Sequence, residues 1–346
     1  MKNILRFDKT KKFRILQLAD IQFIKKMDKK SIEVMDKTIA MANPDFIVLT
    51  GDQISGEYMW LMKKRVKKIL TQITEYFDKK KIPWTMCFGN HDGLWKKKSK
   101  LFMLDIYKRS EYFVGDSQSF GDIEVYCDND KDSVSNYFIP IKDDTDKVKY
   151  GILVLDCESC LTMPYKGYLD EQTEFYKSVS KKYKDVPLVL FTHLPLERMQ
   201  QAYDNRQNDS LVKDFKGEIE KPEVGRVYYA TFDKEQNKKF DDAMLEYKNI
   251  KGVFVGHDHI SNFAVNYNLE KDYNLIMAYG RLSTYAFGCW QYCPFKIKDM
   301  KFYKNYPKGG RVIDIYENKN IVTFDLYEDK NDDFKMKIRN EMRLFD

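Results

Sequence analysis

The sequence predicts an α/β fold in which a mixed sheet carrying helices packs against a second sheet, and three observations lead there. Apolar, β-rich runs alternate with helical patterns through most of the 346 residues. Those runs are short and nearly continuous in apolar residues, the mark of strands buried on both faces. The last third then changes character, with strands following one another without helices between them.

Taken in order, the buried strands are RILQLAD (14–20), DFIVLTGD (45–52), PWTMCFGN (83–90), GILVLDC (151–157), VPLVLFTH (186–193) and GVFVGH (252–257). Helical patterns fall between them at about 29–42, 57–80, 96–108, 170–183 and 234–248. IEVYC (123–127) and SNYFIPI (135–141), separated by an Asp/Asn/Lys turn, read as a hairpin. SNFAVNYN, YNLIMAYG, RVIDIYEN and IVTFDLYED supply the late strands. The polar stretch 205–232 reads as a long surface insertion, and 288–310 as an irregular interruption. There are no internal repeats. The expectation is a single domain over 1–346, with its core at about 12–328 and a C-terminal tail at 329–346.

Composition narrows the classes. Hydrophobic residues at 43% and aromatics at 15% fit a packed globular chain and argue against disorder. The net charge of +6 mildly favours an anionic substrate. Lysine runs such as Lys79–Lys81 and Lys96–Lys98 read as solvated faces, and no basic stripe with interleaved aromatics points to nucleic acid. No apolar run approaches the roughly 20 residues of a membrane span, and the N-terminus lacks a signal-peptide core. A soluble, cytoplasmic protein is expected, with the six scattered cysteines as reduced thiols. Cys157-Glu158-Ser159-Cys160 has no second CxxC at zinc-ribbon spacing.

One regularity outweighs the rest. The early strands stop on metal-ligand residue types: Asp20, Asp52, Asn90-His91-Asp92, His193, and His257-Asp258-His259. All four histidines of the chain sit in these positions. Ligands in open α/β sheets gather at the carboxyl ends of strands, so residues spread over 240 positions can converge. Carboxylates, an amide oxygen and imidazoles suit zinc, iron or manganese and do not suit a thiolate-bound metal. The set is larger than one ion needs, and fits two that share a carboxylate.

In this order, the Asp of a D-x-(H) motif, GD, GNHD, a lone His after a strand, and GHDH resemble the calcineurin-like metallophosphoesterase superfamily. ILQLAD, TGDQI, CFGNHD, VLDCESC, AYGR and GGRVIDI place the resemblance in its purple-acid-phosphatase-like branch, over about residues 12–318. The resemblance implies a four-layer α/β/β/α sandwich with two facing mixed sheets. It implies that Asp52 bridges two metal ions, that Asp20 and His259 bind the first, and that Asn90, His193 and His257 bind the second. His91 would sit beside the metals, contact the phosphate with Asn90 and protonate the leaving group, with Asp92 orienting it. Two ions about 3.5–4 Å apart clamp a phosphoryl group while an activated water attacks in line.

Gln22 departs from the pattern, since most of the superfamily has a ligating histidine there. An amide oxygen is a harder, weaker donor, which predicts either a first site that prefers manganese or magnesium to zinc, or a Gln22 that only hydrogen-bonds a bound water. Purple acid phosphatases proper also replace this histidine but use a tyrosine; Tyr58 and Tyr279 are candidates by position in sequence. After GHDH the branch often continues Asn-Asp, whereas this chain has Ile260-Ser261-Asn262. Arg281 and Tyr285, in YGRLSTYAFG, are candidates to line a phosphate pocket. The expected function is a phosphomonoesterase with two metal ions (manganese, iron or zinc) acting on small phosphate esters or a phosphoprotein. A scaffold that has lost a metal, and a phosphodiesterase or nuclease, are the alternatives.

Overall fold

Residues buried on both faces of their strands dictate the architecture. A computed structural model describes residues 4–55, 63–92, 97–116, 119–126, 133–157, 167–219, 234–259, 261–286 and 306–345. Among them, β1 (Lys12–Leu18), β2 (Phe46–Thr50) and β3 (Trp84–Cys87) run parallel, with α1 (Lys29–Ala42) and α2 (Lys63–Lys80) as their crossovers. α3 (Lys97–Tyr107) follows β3. β4 (Glu124–Tyr126), β5 (Asn136–Lys142) and β6 (Val148–Val154) form an antiparallel meander, confirming the expected hairpin; its turn lies outside the described residues. α4 (Asp170–Lys182), β7 (Leu188–Phe191), α5 (Glu197–Asp204), β8 (Val212–Ile219), α6 (Lys234–Tyr247) and β9 (Ile250–Val255) come next. The chain closes with β10 (Ser261–Glu270), β11 (Tyr273–Tyr279), β12 (Gly309–Tyr316), β13 (Ile321–Asp329) and β14 (Lys335–Leu344).

These strands form two mixed sheets. One has six strands in the order β14-β13-β12-β1-β2-β3, the other eight in the order β4-β5-β6-β7-β9-β11-β10-β8. Alternate residues of single strands divide between apolar layers, as the two-residue side-chain period requires. Leu16 and Leu18 of β1 with Ile47 and Leu49 of β2 pack under Met35, Ile69 and Phe77 of the helices. Phe13, Ile15, Phe46 and Val48 face the other way, against Ile152, Val189, Phe191 and Phe254 of the second sheet. On that sheet Leu153, Leu188, Leu190 and Val253 pack outward under Phe175, Val179 and Phe240. Three apolar layers between four structural ones are the expected α/β/β/α sandwich. No helix among the described residues is long and apolar enough to cross a membrane.

Two expectations need correction. Residues 335–344, expected as part of a tail, form β14, an edge strand paired antiparallel to β13 with Met342 and Leu344 buried between the sheets. Its charged alternation, KMKIRNEMRL, is how edge strands avoid pairing with other chains, and in sequence it reads as a polar tail. Within the expected insertion, β8 pairs antiparallel with β10 and stacks Phe215 on Phe263 at 5.2 Å; 220–232 lies outside the described residues.

A buried ion pair joins the layers near the strand ends. Lys100 of α3 donates to both oxygens of Asp156, at 3.0 and 2.9 Å, and to the Cys157 carbonyl just past β6. Burial pushes the Asp156 carboxyl up to about 6 despite the Lys100 ammonium beside it. A buried carboxyl with a raised pKa favours the folded state below that pKa and costs it stability above. Lys100→Met strands the carboxylate and is therefore expected to destabilise the fold by about 3–5 kcal/mol at pH 8. The loss should shrink at pH 5, where the carboxyl takes a proton. Urea unfolding at the two pH values measures this; equal losses would mean that packing rather than charge sets the effect.

Candidate metal centre

The central parallel strands of the two sheets finish at a common edge, and the residues just past them are turned inward by unusual backbone. Asp20, Gln22, Asp52 and His257 all have positive φ, at 54°, 37°, 51° and 73°. Non-glycine residues rarely adopt this region, and such strain persists where the surroundings over-determine it, commonly at functional sites. Two glycines make the close approach possible. A Cβ on Gly51, itself at φ 82°, would lie 2.2 Å from His193 Nδ1, and one on Gly89 would lie 2.1 Å from Asp52 Oδ1.

Asp20, Asp52 and His259 meet, each buried and each offering an atom, with those atoms all within 4.8 Å of one another. His259 Nε2 lies 3.5 Å from Asp20 Oδ1, which also accepts from the His257 backbone N–H. Gln22, fully buried, donates from Nε2 to Asp52 Oδ2 at 3.0 Å. That bond fixes the amide orientation, and it leaves Gln22 Oε1 without a hydrogen-bond partner, as is Asp20 Oδ2. Two buried oxygens without donors are costly unless a cation serves them. The residues present therefore fit a metal ion, and a hard one.

A second group adjoins the first through Asp52. Asn90 Oδ1 lies 2.9 Å from His193 Nε2 and 3.0 Å from His257 Nδ1, and His193 Nε2 lies 3.4 Å from Asp52 Oδ2. His193 Nδ1 donates to the Thr50 carbonyl at 2.9 Å, which leaves Nε2 as the ring's inward atom. Burial disfavours its charge, but Asp52, then Asp20 and the Thr50 carbonyl, raise His193 to about 9. Burial likewise opposes ionisation of Asp52, yet His193 and His91 hold that carboxyl well below the usual range. Burial and the neighbouring His193 push His257 well below the ordinary imidazole value. The carboxylates beside His193 thus favour positive charge at this point of the cluster.

A family model for calcineurin-like phosphoesterases matches residues 13–261. The chain belongs to that family. It is 25% identical over 303 residues to the Arabidopsis thaliana protein named probable inactive purple acid phosphatase 29, covering 75% of this chain and 70% of that one. It is 24% identical over 289 residues to Phosphatase DCR2 of Saccharomyces cerevisiae and 22% over 290 to an uncharacterized protein of Schizosaccharomyces pombe. Those two alignments cover 73% and 77% of this chain but 45% and 48% of the yeast proteins, so the chain spans just under half of each. The relatives support the purple-acid-phosphatase-like branch.

As a calcineurin-like phosphoesterase the chain brings together Asp20, Gln22, Asp52, Asn90, His193, His257 and His259. His91 stands beside them: its N–H donates to Asp52 Oδ1 at 2.9 Å, its Nε2 lies 3.9 Å from Asp52 Oδ2, and its side chain is 21% exposed. Asp92 behaves differently from expectation. Its carboxylate accepts from the backbone N–H groups of Gly89 and Ile54, at 2.8 and 3.1 Å, so its bonds close the GNHD turn and not the orientation of the His91 ring. Burial, then Asp52, raises it to about 8.

Arg281 and Tyr285 are also placed elsewhere than expected. Arg281 is fully buried, donates to the Pro307 carbonyl at 2.7 Å and lies over the Tyr306 and Tyr327 rings. Tyr285 donates its hydroxyl to Glu328 at 2.7 Å. Both side chains are held by their aromatic and acidic neighbours, while the backbone between them runs beside the Asp20 loop. Tyr279 packs against Phe263 in the apolar layer, which does not suit a metal ligand; Tyr58 and Ile260 lie outside the described residues.

Three supporting residues were not anticipated. Gln17 Nε2 donates to Thr50 Oγ1 and to the Val255 carbonyl, both at 2.9 Å, tying β1, β2 and β9 together beside the site. Ser283 Oγ accepts from the Ala19 N–H and Thr284 Oγ1 donates to the Ile21 carbonyl, bracing the loop that carries Asp20. The available signal was a polar residue, Gln17, inside an otherwise apolar strand. Ser283 and Thr284 had none.

Gln22→His is expected to tighten zinc relative to manganese at the Asp20/Asp52/His259 position, and Gln22→Leu to weaken both by about tenfold. Calorimetric metal titration checks this, and unchanged affinities in both variants would place the amide outside the coordination shell. Gly51→Ala should displace His193 and lower metal stoichiometry, read by elemental analysis of the purified variant.

Proposed function

We propose that this protein is a dinuclear metal-dependent phosphoesterase that acts on phosphate monoesters. The observation that carries the reading is Asp52, one buried carboxylate flanked by two donor groups. Asp20, Gln22 and His259 would hold one ion with it, and Asn90, His193 and His257 the other. Manganese or iron suits the first group better than zinc because its donors are mostly oxygens. When bound, such a pair supplies charge neutralisation for the phosphoryl group and an acidified water.

The chain's own residues supply the rest. His91 is on the open side of the cluster, tethered through its backbone to Asp52, where an imidazole can donate a proton to the leaving-group oxygen. Asp92 holds the turn that presents Asn90 and His91. His193 is kept with Nε2 inward by Thr50, and Asn90 with its oxygen toward both imidazoles. The monoester preference draws on the phosphatase names of two relatives.

A second reading, a fold kept without turnover, is favoured by Gln22 at a position where the family has histidine and by the word inactive in the Arabidopsis relative's name. Turnover of p-nitrophenyl phosphate and bis-p-nitrophenyl phosphate with manganese, zinc and iron separates the two. Monoester turnover is expected to exceed diester turnover. His91→Ala should lower kcat by about 10²–10⁴ with metal content unchanged. Two bound ions per chain with no turnover of either ester would establish the inactive reading instead.

A further inference from the structure

The three helices over the first sheet carry their charges in the opposite order to the three over the second. α1 opens with Lys29 and Lys30, α2 with Lys63, Lys64 and Arg65 followed by Lys67 and Lys68, and α3 with Lys97 and Lys98. None of these has an acid in its first turn. α4 opens instead with Asp170 and Glu171, α5 with Glu197 and α6 with Glu235. Helix dipoles favour acids at the start and cations at the end, so α4 to α6 obey the local electrostatics and α1 to α3 oppose it. Asp28, just before α1, is committed to capping Ser31. The acids of α2, Glu75 and Asp78, lie in its second half.

The cations so placed face solvent. Lys26, Lys29, Lys64, Lys67, Lys68 and Lys98 are exposed, and among the described residues none of the six has a carboxylate partner. Other surface lysines are paired: Lys80 with Asp36 at 2.7 Å, Lys239 with Asp170 at 2.9 Å and Lys248 with Glu270 at 2.7 Å. The six also share one end of the fold. As crossovers of a parallel sheet, α1 and α2 start at the carboxyl ends of β1 and β2, where Asp20 and Asp52 lie. Lys26 is four residues past Gln22, which keeps their Cα atoms within about 14 Å. The Met27 N–H donates to Gln72 Oε1 at 3.3 Å, one turn past Lys68, so the Lys26 loop and α2 are neighbours. Lys98 stands two residues before Lys100, whose Nζ is 5.9 Å from the ring centroid of Phe88, next to the Gly89-Asn90 turn.

We propose that these six lysines form a docking surface for an acidic polypeptide segment, and that the substrate is a phosphoprotein with Asp or Glu flanking its phosphorylated residue. Charge complementarity selects that partner, since lysines are mobile point charges that meet carboxylates without a fixed geometry. A lipid surface would also take up apolar side chains, and those of α2, Val66, Ile69, Leu70 and Ile73, are buried in the core. Cations spread over three elements suit an extended chain bearing several charges. The substrate class rests on the phosphoesterase reading; the docking surface does not.

Fluorescence anisotropy with the full chain stripped of metal tests the surface without turnover. The probes are a phosphoserine peptide flanked by glutamates and its alanine-flanked counterpart. In about 50 mM salt the acidic peptide is expected to bind about tenfold more tightly, and in about 500 mM salt the difference should vanish. The Lys64→Ala/Lys67→Ala/Lys68→Ala variant should abolish the preference, and the corresponding triple arginine variant should keep it. Equal binding of the two peptides to the unsubstituted chain, or a preference that survives in the triple alanine variant, overturns the proposal. Lysine-dependent sedimentation with phosphatidylserine vesicles in the absence of a peptide preference would assign the surface to a membrane and overturn it as well. With the metal-loaded protein, the acidic peptide is expected to have the lower KM at equal kcat, and the triple alanine variant should raise that KM to the alanine-flanked value. Absence of turnover of either peptide would count against the phosphoesterase reading, whereas a binding preference that needs the three lysines would still establish the docking surface.

Discussion

The centre depends on two sheets being locked together at the ends of their parallel strands, and a single buried amide contributes most directly to that lock. Gln17 points into the space between the sheets and donates to Thr50 Oγ1 in its own sheet and to the Val255 carbonyl in the other. Its cross-strand partner in the register of β1 and β12, Arg311, makes a matching link: Nε donates to the Tyr279 carbonyl at 2.7 Å, while Nη2 pairs with buried Asp325 at 2.5 Å. Both links fall where apolar packing gives way to the polar edge. Buried polar groups of this kind are tolerable when satisfied, and they fix the relative position of the layers better than non-directional packing does.

From that lock the site follows by short steps. Thr50 receives Gln17 on its hydroxyl and His193 on its carbonyl, so strand alignment and imidazole orientation are set by one residue. Gly256 donates to the His193 carbonyl and Gly280 to the Val255 carbonyl, which fixes the neighbouring strand ends in turn. The Asp20 loop is braced from behind by Ser283 and Thr284, and from the front by Gln22 N–H donating to the Asp52 carbonyl at 2.8 Å. The positive φ values of Asp20, Gln22, Asp52 and His257 are held by these bonds. Electrostatics completes the description: the carboxylates beside His193 favour positive charge at the centre of the cluster.

Sequence legibility followed burial and periodicity. α1 occupies the expected 29–42, and α3, α4 and α6 end within one residue of expectation, because each carries an apolar stripe. β8 and β14 were missed because they are edge strands, whose charged faces resemble loops and tails. α5 was missed because only Met199 and Ala202 anchor its eight residues. Within the site, residues directly after strands were legible, since a ligand type in that position has few other reasons to be there. Residues that act through a bond formed in the folded chain were not: Asp92 gives its oxygens to backbone, and Arg281 and Tyr285 turn to partners more than 20 residues away in sequence.

The sequence by itself determined the family, the layered α/β architecture and the identity of the donor residues, because strand periodicity and ligand chemistry are local properties written in consecutive residues. Tertiary structure alone decided which donors face each other and what state they are in. Asp20, Asp52 and His259 meet across two sheets, and Gln22 is turned by Asp52 so that its oxygen is left without a donor. Those outcomes depend on contacts spanning more than 230 residues, where orientation and burial set the charge, and no window of sequence contains them.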